Sequence, residues 1–110
     1  MRQYMVDELR QGELDRIREY LNLTCEPSEL GGLYWFHIPE RLLDNIQIEH
    51  KDCMPFCSAI ELGGSWIKFE MLVRSRKKIR CNCVAFATKE QRSFILEFAD
   101  KLIIENNIPV

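Results

Sequence analysis

Two stretches of the chain repeat apolar residues at the spacing of an amphipathic helix. The first predicts a helix over about residues 12–22, with these apolar positions between charged ones: Leu14, Ile17 and Leu21. The second begins after Thr88, where Gln91 is placed to complete a capping box, and ends at Asn106-Asn107. Its apolar stripe is wide and consists of Phe94, Ile95, Phe98, Ala99, Leu102 and Ile103.

A third apolar stretch, residues 33–38, is aromatic and β-branched and is bounded by Gly31-Gly32 and Pro39, so it predicts a strand. One or two turns of helix are expected over residues 40–43, because proline suits the first helical position. Residues 44–55 show no clear period and are expected to form a polar connection.

The segment from Phe56 to Val73 predicts a β-hairpin that turns at Gly63-Gly64. A two-residue turn predicts four cross-strand pairs on one apolar side: Leu62–Ser65, Ile60–Ile67, Ser58–Phe69 and Phe56–Met71. A third strand is expected from Ile79 to Ala87, with Cys81 and Cys83 on its core face.

These elements predict a single α+β domain over residues 1–110. Its expected sheet is antiparallel, with three to four strands that include a meander over residues 56–87. The C-terminal helix should pack on one face of this sheet, and the domain also contains an N-terminal helix. A chain of 110 residues with 46% apolar content is long enough to bury a core without disulfides or metal.

Charge is uneven along the chain, although the net charge is only −2. No signal peptide and no apolar run of about 20 residues is seen, so we expect a cytoplasmic protein with reduced thiols and no membrane partner. One basic run stands out on an otherwise acidic chain: Arg74, Arg76, Lys77, Lys78 and Arg80. Such a run at a hairpin tip is a candidate site for phosphate or nucleic acid.

Four cysteines and one histidine raise the question of a metal site: His50, Cys53, Cys57, Cys81 and Cys83. The predicted register puts Cys57 on the opposite side of the sheet from Cys81 and Cys83, so one ion cannot reach all of them. We expect no cofactor, and we interpret Cys81 and Cys83 as small core residues that let the last helix approach the sheet. The alternative is a zinc site that consists of His50, Cys53, Cys81 and Cys83.

The second face of the predicted sheet is partly apolar, through Trp66, Leu72, Val84 and Phe86. Either the first helix or the strand containing Trp35 covers these side chains, or another protein molecule does. No enzyme motif is found. We therefore expect a non-enzymatic interaction domain that self-associates through this face. The alternatives are a zinc-stabilised module and a phosphate or nucleic-acid binder.

Overall fold

A computed structural model describes residues 2–78 and 80–110 of the chain. The elements follow in this order: β1 (Gln3–Val6), α1 (Gln11–Thr24), β2 (Glu26–Pro27), β3 (Leu33–His37), α2 (Asn45–Glu49), β4 (Phe56–Leu62), β5 (Ile67–Glu70), β6 (Leu72–Ser75), β7 (Ala85–Phe86) and α3 (Lys89–Glu105). Short 3-10 helices lie at Glu40–Leu42 and Lys51–Cys53. The predicted α+β class with an antiparallel sheet is confirmed, although the sheet has more strands than expected.

The strands form one antiparallel sheet in the order β1-β5-β4-β3-β2. β6 pairs with β4 beyond the end of β5, and β7 pairs with β6. Sequence reasoning did not find β1 or β2. β2 has two residues, and the four residues of β1 include only one that is fully buried, so neither shows a clear apolar alternation.

The predicted register of the β4–β5 hairpin is wrong by two residues. Ile60 faces Phe69 and Leu62 faces Ile67. The difference arises at the turn, where the backbone N–H of Gly63 donates to the carbonyl of Trp66 (2.8 Å) and closes a loop longer than two residues. Because side chains alternate with a period of two, a shift of two residues keeps every side chain on its predicted face.

The predicted strand from Ile79 to Ala87 is also largely wrong. Ile79 lies outside the described residues, and of residues 80–87 only Ala85–Phe86 is a strand. Cys81 and Cys83 lie in a turn, which is closed by a hydrogen bond from the N–H of Val84 to the carbonyl of Cys81 (3.1 Å). Asn82 at the centre of this turn favours turns over strands, which gives a local reason for the difference.

Both long helices pack on the same face of the sheet. The ring of Phe36 in β3 stacks on Phe94 and Phe98 of α3, at centroid distances of 5.4 and 4.3 Å. Tyr20 of α1 lies 6.0 Å from Phe98, and the Nε of Arg16 donates to the carbonyl of Asn106 (3.0 Å). The first helix therefore does not cover the second face, and Trp35 is a member of the sheet itself.

The capping box that starts α3 is confirmed: Thr88 Oγ1 accepts from the N–H of Gln91 (3.2 Å), and Gln91 Oε1 accepts from the N–H of Thr88 (2.9 Å). Residues 44–55 are more ordered than predicted, because Asp44 and Gln47 form a second capping box at the start of α2. No helix between residues 2 and 78 or between 80 and 110 has the length and apolar character needed to cross a membrane.

Candidate metal centre

Four potential ligands from two separate segments meet at one end of the sheet. His50 follows α2, Cys53 ends the second 3-10 helix, and Cys81 and Cys83 lie in the turn before β7. One nitrogen and three sulfur atoms from these residues lie within 4.8 Å of one another. This is the set that remained when the sheet register excluded Cys57.

Two of the distances within the cluster match those of a tetrahedral zinc site, and the distance from His50 Nδ1 to Cys81 Sγ is shorter. His50 Nδ1 lies 3.1 Å from Cys81 Sγ and 3.9 Å from Cys53 Sγ, and the two sulfurs are 3.8 Å apart. With Zn–S bonds of about 2.3 Å and Zn–N bonds of about 2.0 Å, ideal ligand separations are ~3.8 Å between sulfurs and ~3.6 Å between sulfur and nitrogen. The donor set and its spacing therefore fit zinc.

Hydrogen bonds to backbone carbonyls hold the ligand residues in place. The N–H of Cys53 donates to the carbonyl of His50 (2.9 Å), which fixes the two residues in one turn. The hydroxyl of Ser75 donates to the carbonyl of Cys53 and ties that turn to β6. The buried side chain of Gln47 donates from Nε2 to the carbonyl of Cys83 (3.3 Å) and ties α2 to the other ligand segment.

The pKa values of the two thiols in the turn before β7 differ strongly. Hydrogen bonds from the backbone and side chain of Cys83 lower the pKa of Cys81 to about 6. Burial and the neighbouring sulfur of Cys81 raise the pKa of Cys83 to about 12. The cluster therefore holds at least one thiolate at neutral pH, which is the form that binds metal.

The two remaining cysteines lie outside the cluster. Cys57 is fully buried in β4, opposite His37 and Arg74, and burial raises its pKa to about 11. Cys25 follows α1, and burial likewise raises its pKa to about 11. Both thiols are protonated at neutral pH. The separation of Cys57 from the other thiols agrees with the side of the sheet that the sequence predicts for it.

The five residues of the basic run differ in their contacts. Arg74 donates to Glu70 (2.7 and 2.9 Å), and Arg76 donates to Glu26 (2.6 Å) while lying over the ring of Trp35 (4.7 Å). The other three side chains are exposed: Lys77, Lys78 and Arg80. The backbone N–H groups of the two lysines donate to Ser75 Oγ (3.1 and 3.0 Å), which orders the start of this loop.

The four residues of the expected interaction face do not lie side by side. Leu72 faces Phe86 across the β6–β7 pair, and Phe86 is 52% exposed. Trp66 immediately precedes β5, at the end of that strand away from β6. Lys68 Nζ is 4.3 Å from its ring centroid. Val84 lies outside the strands and packs against the hydrophobic core.

Sequence reasoning missed the groups that support the metal ligands, Gln47 and Ser75. The spacing of Asp44 and Gln47 carries a signal for Gln47, because it repeats the capping-box spacing of Thr88 and Gln91. Nothing local marks Ser75, because its role depends on a contact with residue 53.

No protein-family model matches this chain, and neither a curated protein nor a solved structure resembles it significantly.

Proposed function

We propose that this protein is a small, non-catalytic binding domain stabilised by one zinc ion, with His50, Cys53, Cys81 and Cys83 as ligands. The observation that carries the proposal is the convergence of one imidazole nitrogen and three sulfurs within 4.8 Å. Three thiolates and one imidazole form a common ligand set of structural zinc sites.

A structural role follows from the number of ligands. Four protein ligands fill a tetrahedral coordination sphere, whereas catalytic zinc sites keep one position for water or substrate. Cys53 and Cys83 are buried, at 1% exposure each, so half of the coordination sphere faces the protein interior. The ion would join the α2 segment to the turn before β7, which are about 30 residues apart in sequence. Its binding free energy would add to that of folding.

A cysteine nucleophile is the competing interpretation, because His50 Nδ1 is 3.1 Å from Cys81 Sγ. A nucleophile with a base at this distance is common in thiol enzymes. Here, however, the sulfurs of Cys53 and Cys83 also lie within 4.8 Å of both atoms. We therefore favour metal binding, for which all four groups are needed.

Two further expectations from the sequence stay hypotheses within this proposal. A thiolate zinc site requires reduced cysteines, and all five are free here, which agrees with a cytoplasmic location. Self-association, which the sequence led us to expect, is tested by light scattering over a range of concentrations. A strictly monomeric protein at high concentration would rule it out.

Elemental analysis of protein purified without added metal tests the zinc proposal. We expect one zinc ion per chain in the natural sequence and most of it lost in Cys81→Ser. The matched control is Cys25→Ser, which makes the same chemical change at a half-buried thiol outside the cluster and should keep its zinc. Zinc-free natural protein, or full zinc content in Cys81→Ser, would contradict the proposal.

A second measurement covers the case in which Cys81→Ser does not fold. Protein of the natural sequence is stripped of metal by a chelator and titrated with cobalt. We expect one equivalent to give the visible absorption of a tetrahedral thiolate complex and to raise the unfolding temperature. The absence of both changes would also overturn the proposal.

A further inference from the structure

One face of the sheet has no helix packed on it between residues 2 and 78 or between 80 and 110. We call this the open face; it lies opposite α1 and α3. Strand pairing and alternation place the following charged and aromatic strand residues on it: Glu26, Trp35, His37, Glu61, Lys68, Glu70, Arg74 and Phe86. α2 also lies on the other side, because its Gln47 contacts Gln91 of α3 (3.0 Å).

Aromatic rings on the open face are paired with cations. The guanidinium of Arg76 lies 4.7 Å from the ring centroid of Trp35, and that of Arg2 lies 5.0 Å from the ring centroid of Phe86. Trp35 is half-buried and Phe86 is exposed. Each ring therefore presents a surface to solvent beside a positive charge.

Basic side chains lie beside these two rings and in the loop that follows β6. We call this area the basic patch; it consists of Arg2, Arg74 and Arg76, the rings of Trp35 and Phe86, and the exposed loop residues Lys77, Lys78 and Arg80. Two carboxylates, Glu26 and Glu70, accept hydrogen bonds from Arg76 and Arg74. Six cations with these two carboxylates leave the patch positive, although the whole chain carries −2.

We infer that the basic patch binds single-stranded nucleic acid. Bases would stack on Trp35 and Phe86, and phosphates would contact the arginines and the exposed lysines of residues 77–78. Stacking requires unpaired bases, because the π-faces are hidden inside a duplex. A base that stacks on one of these rings displaces the guanidinium that covers it, and this guanidinium is then free to contact a phosphate. The free protein therefore already holds its cations beside the positions that the bases would take.

Charge complementarity decides between this occupant and a second copy of the chain. Two basic patches that meet would bring twelve cations together, and like charges across an interface oppose association. Single-stranded nucleic acid carries negative phosphates and aromatic bases, so it complements both the cations and the exposed rings of the basic patch. The basic patch contains none of the proposed metal ligands, so nucleic-acid binding there goes beyond the zinc proposal and does not require it.

Fluorescence anisotropy with a labelled oligothymidine tests the inference, using the full chain as purified. We expect binding at low salt that weakens as salt rises, with a slope of about −0.7 in log–log form for each phosphate neutralised. Phe86→Ala should weaken binding about fivefold or more, which corresponds to the ~1–3 kcal/mol that one stacked base contributes. Phe86 is exposed, so this variant should fold.

A pair of charge variants provides the control. Lys77→Glu with Lys78→Glu should weaken binding at least tenfold, whereas Lys89→Glu with Lys101→Glu makes the same change in net charge at exposed positions of α3 and should change it much less. No binding at low salt, or equal losses in both double variants, would overturn the inference. So would a dimer, seen by light scattering, that Phe86→Ala dissociates without any oligonucleotide binding. The zinc content of each sample, measured in parallel, separates failure of the zinc proposal from failure of this one.

Discussion

The side-chain amide of Gln91 donates from Nε2 to Oε1 of Gln47 (3.0 Å), and both side chains are fully buried. Each glutamine also closes the capping box of its own helix, so the starts of α2 and α3 are joined directly. Gln91 Nε2 donates to the carbonyl of Leu42 as well (2.9 Å), and Gln47 Nε2 donates to the carbonyl of Cys83 (3.3 Å). A continuous series of buried hydrogen bonds therefore runs from α3 to the candidate metal centre.

Replacing either glutamine should destabilise the protein strongly. Gln47→Leu or Gln91→Leu leaves buried partners without a hydrogen bond, which costs about 1–3 kcal/mol for each such group. The double variant should lose less than the sum of the two, with a coupling of about 0.5–3 kcal/mol. Urea unfolding of the four proteins measures this coupling. Gln11→Leu, at an exposed position of α1, is the control and should change stability little. Strict additivity at positions 47 and 91 would contradict a direct interaction.

Thiol reactivity should differ among the cysteines of metal-free protein. The pKa of Cys81 is lowered to about 6 by hydrogen bonds from Cys83, whereas burial raises the pKa values of Cys25 and Cys57 to about 11. Because the thiolate is the nucleophile, iodoacetamide at pH 7 should modify Cys81 first. Peptide mapping by mass spectrometry identifies the modified residue. Added zinc should slow the reaction at Cys81; first modification of Cys25 or Cys57 would contradict this assignment.

Gly32 should not tolerate alanine. Its φ is +81°, and a Cβ atom would lie 2.8 Å from the carbonyl oxygen of Leu62 in the neighbouring strand β4. Gly32→Ala therefore adds left-handed strain of about 1–2 kcal/mol and a contact with backbone that cannot move freely. Gly31→Ala is the matched control, because no atom lies within 4 Å of its Cβ position. Thermal unfolding of the two variants provides the comparison, and equal midpoints would contradict this account.

The ion pair between Glu26 and Arg76 should be visible in a pH titration. Hydrogen bonds from Arg76 and His37 lower the pKa of the Glu26 carboxyl below its ordinary value. A lowered pKa in the folded state contributes stability above the ordinary pKa, and this contribution is lost as the pH falls through the folded value. Nuclear magnetic resonance of the Glu26 side chain measures that pKa. Arg76→Gln should raise it, and an unchanged value would show that the guanidinium is not responsible.

Much of the fold follows from local patterns. The apolar stripe of α3 and the capping box at Thr88 gave the position of that helix, and the run from Leu33 gave β3. The register of the strands and the lengths of the turns were harder to predict from the sequence. The hairpin loop at Gly63 is longer than the two glycines suggested, because the N–H of Gly63 reaches the carbonyl of Trp66 (2.8 Å). β1 was missed because its short sequence gains strand structure only by pairing with β5.

The sequence alone determined which residues could form the metal centre. Alternation in β4 places Cys57 on the face opposite Ile60, and this parity survives a register shift of two residues, so the exclusion of Cys57 did not depend on the exact pairing. The strand predicted to carry Cys81 and Cys83 is not formed. Only the tertiary structure decided that these four meet. Cys81 and Cys83 converge with His50 and Cys53 because residues 81–84 turn instead of extending, and because Ser75 and Gln47 bind the carbonyls of Cys53 and Cys83. These two contacts join residues more than 20 positions apart, and no local pattern encodes them.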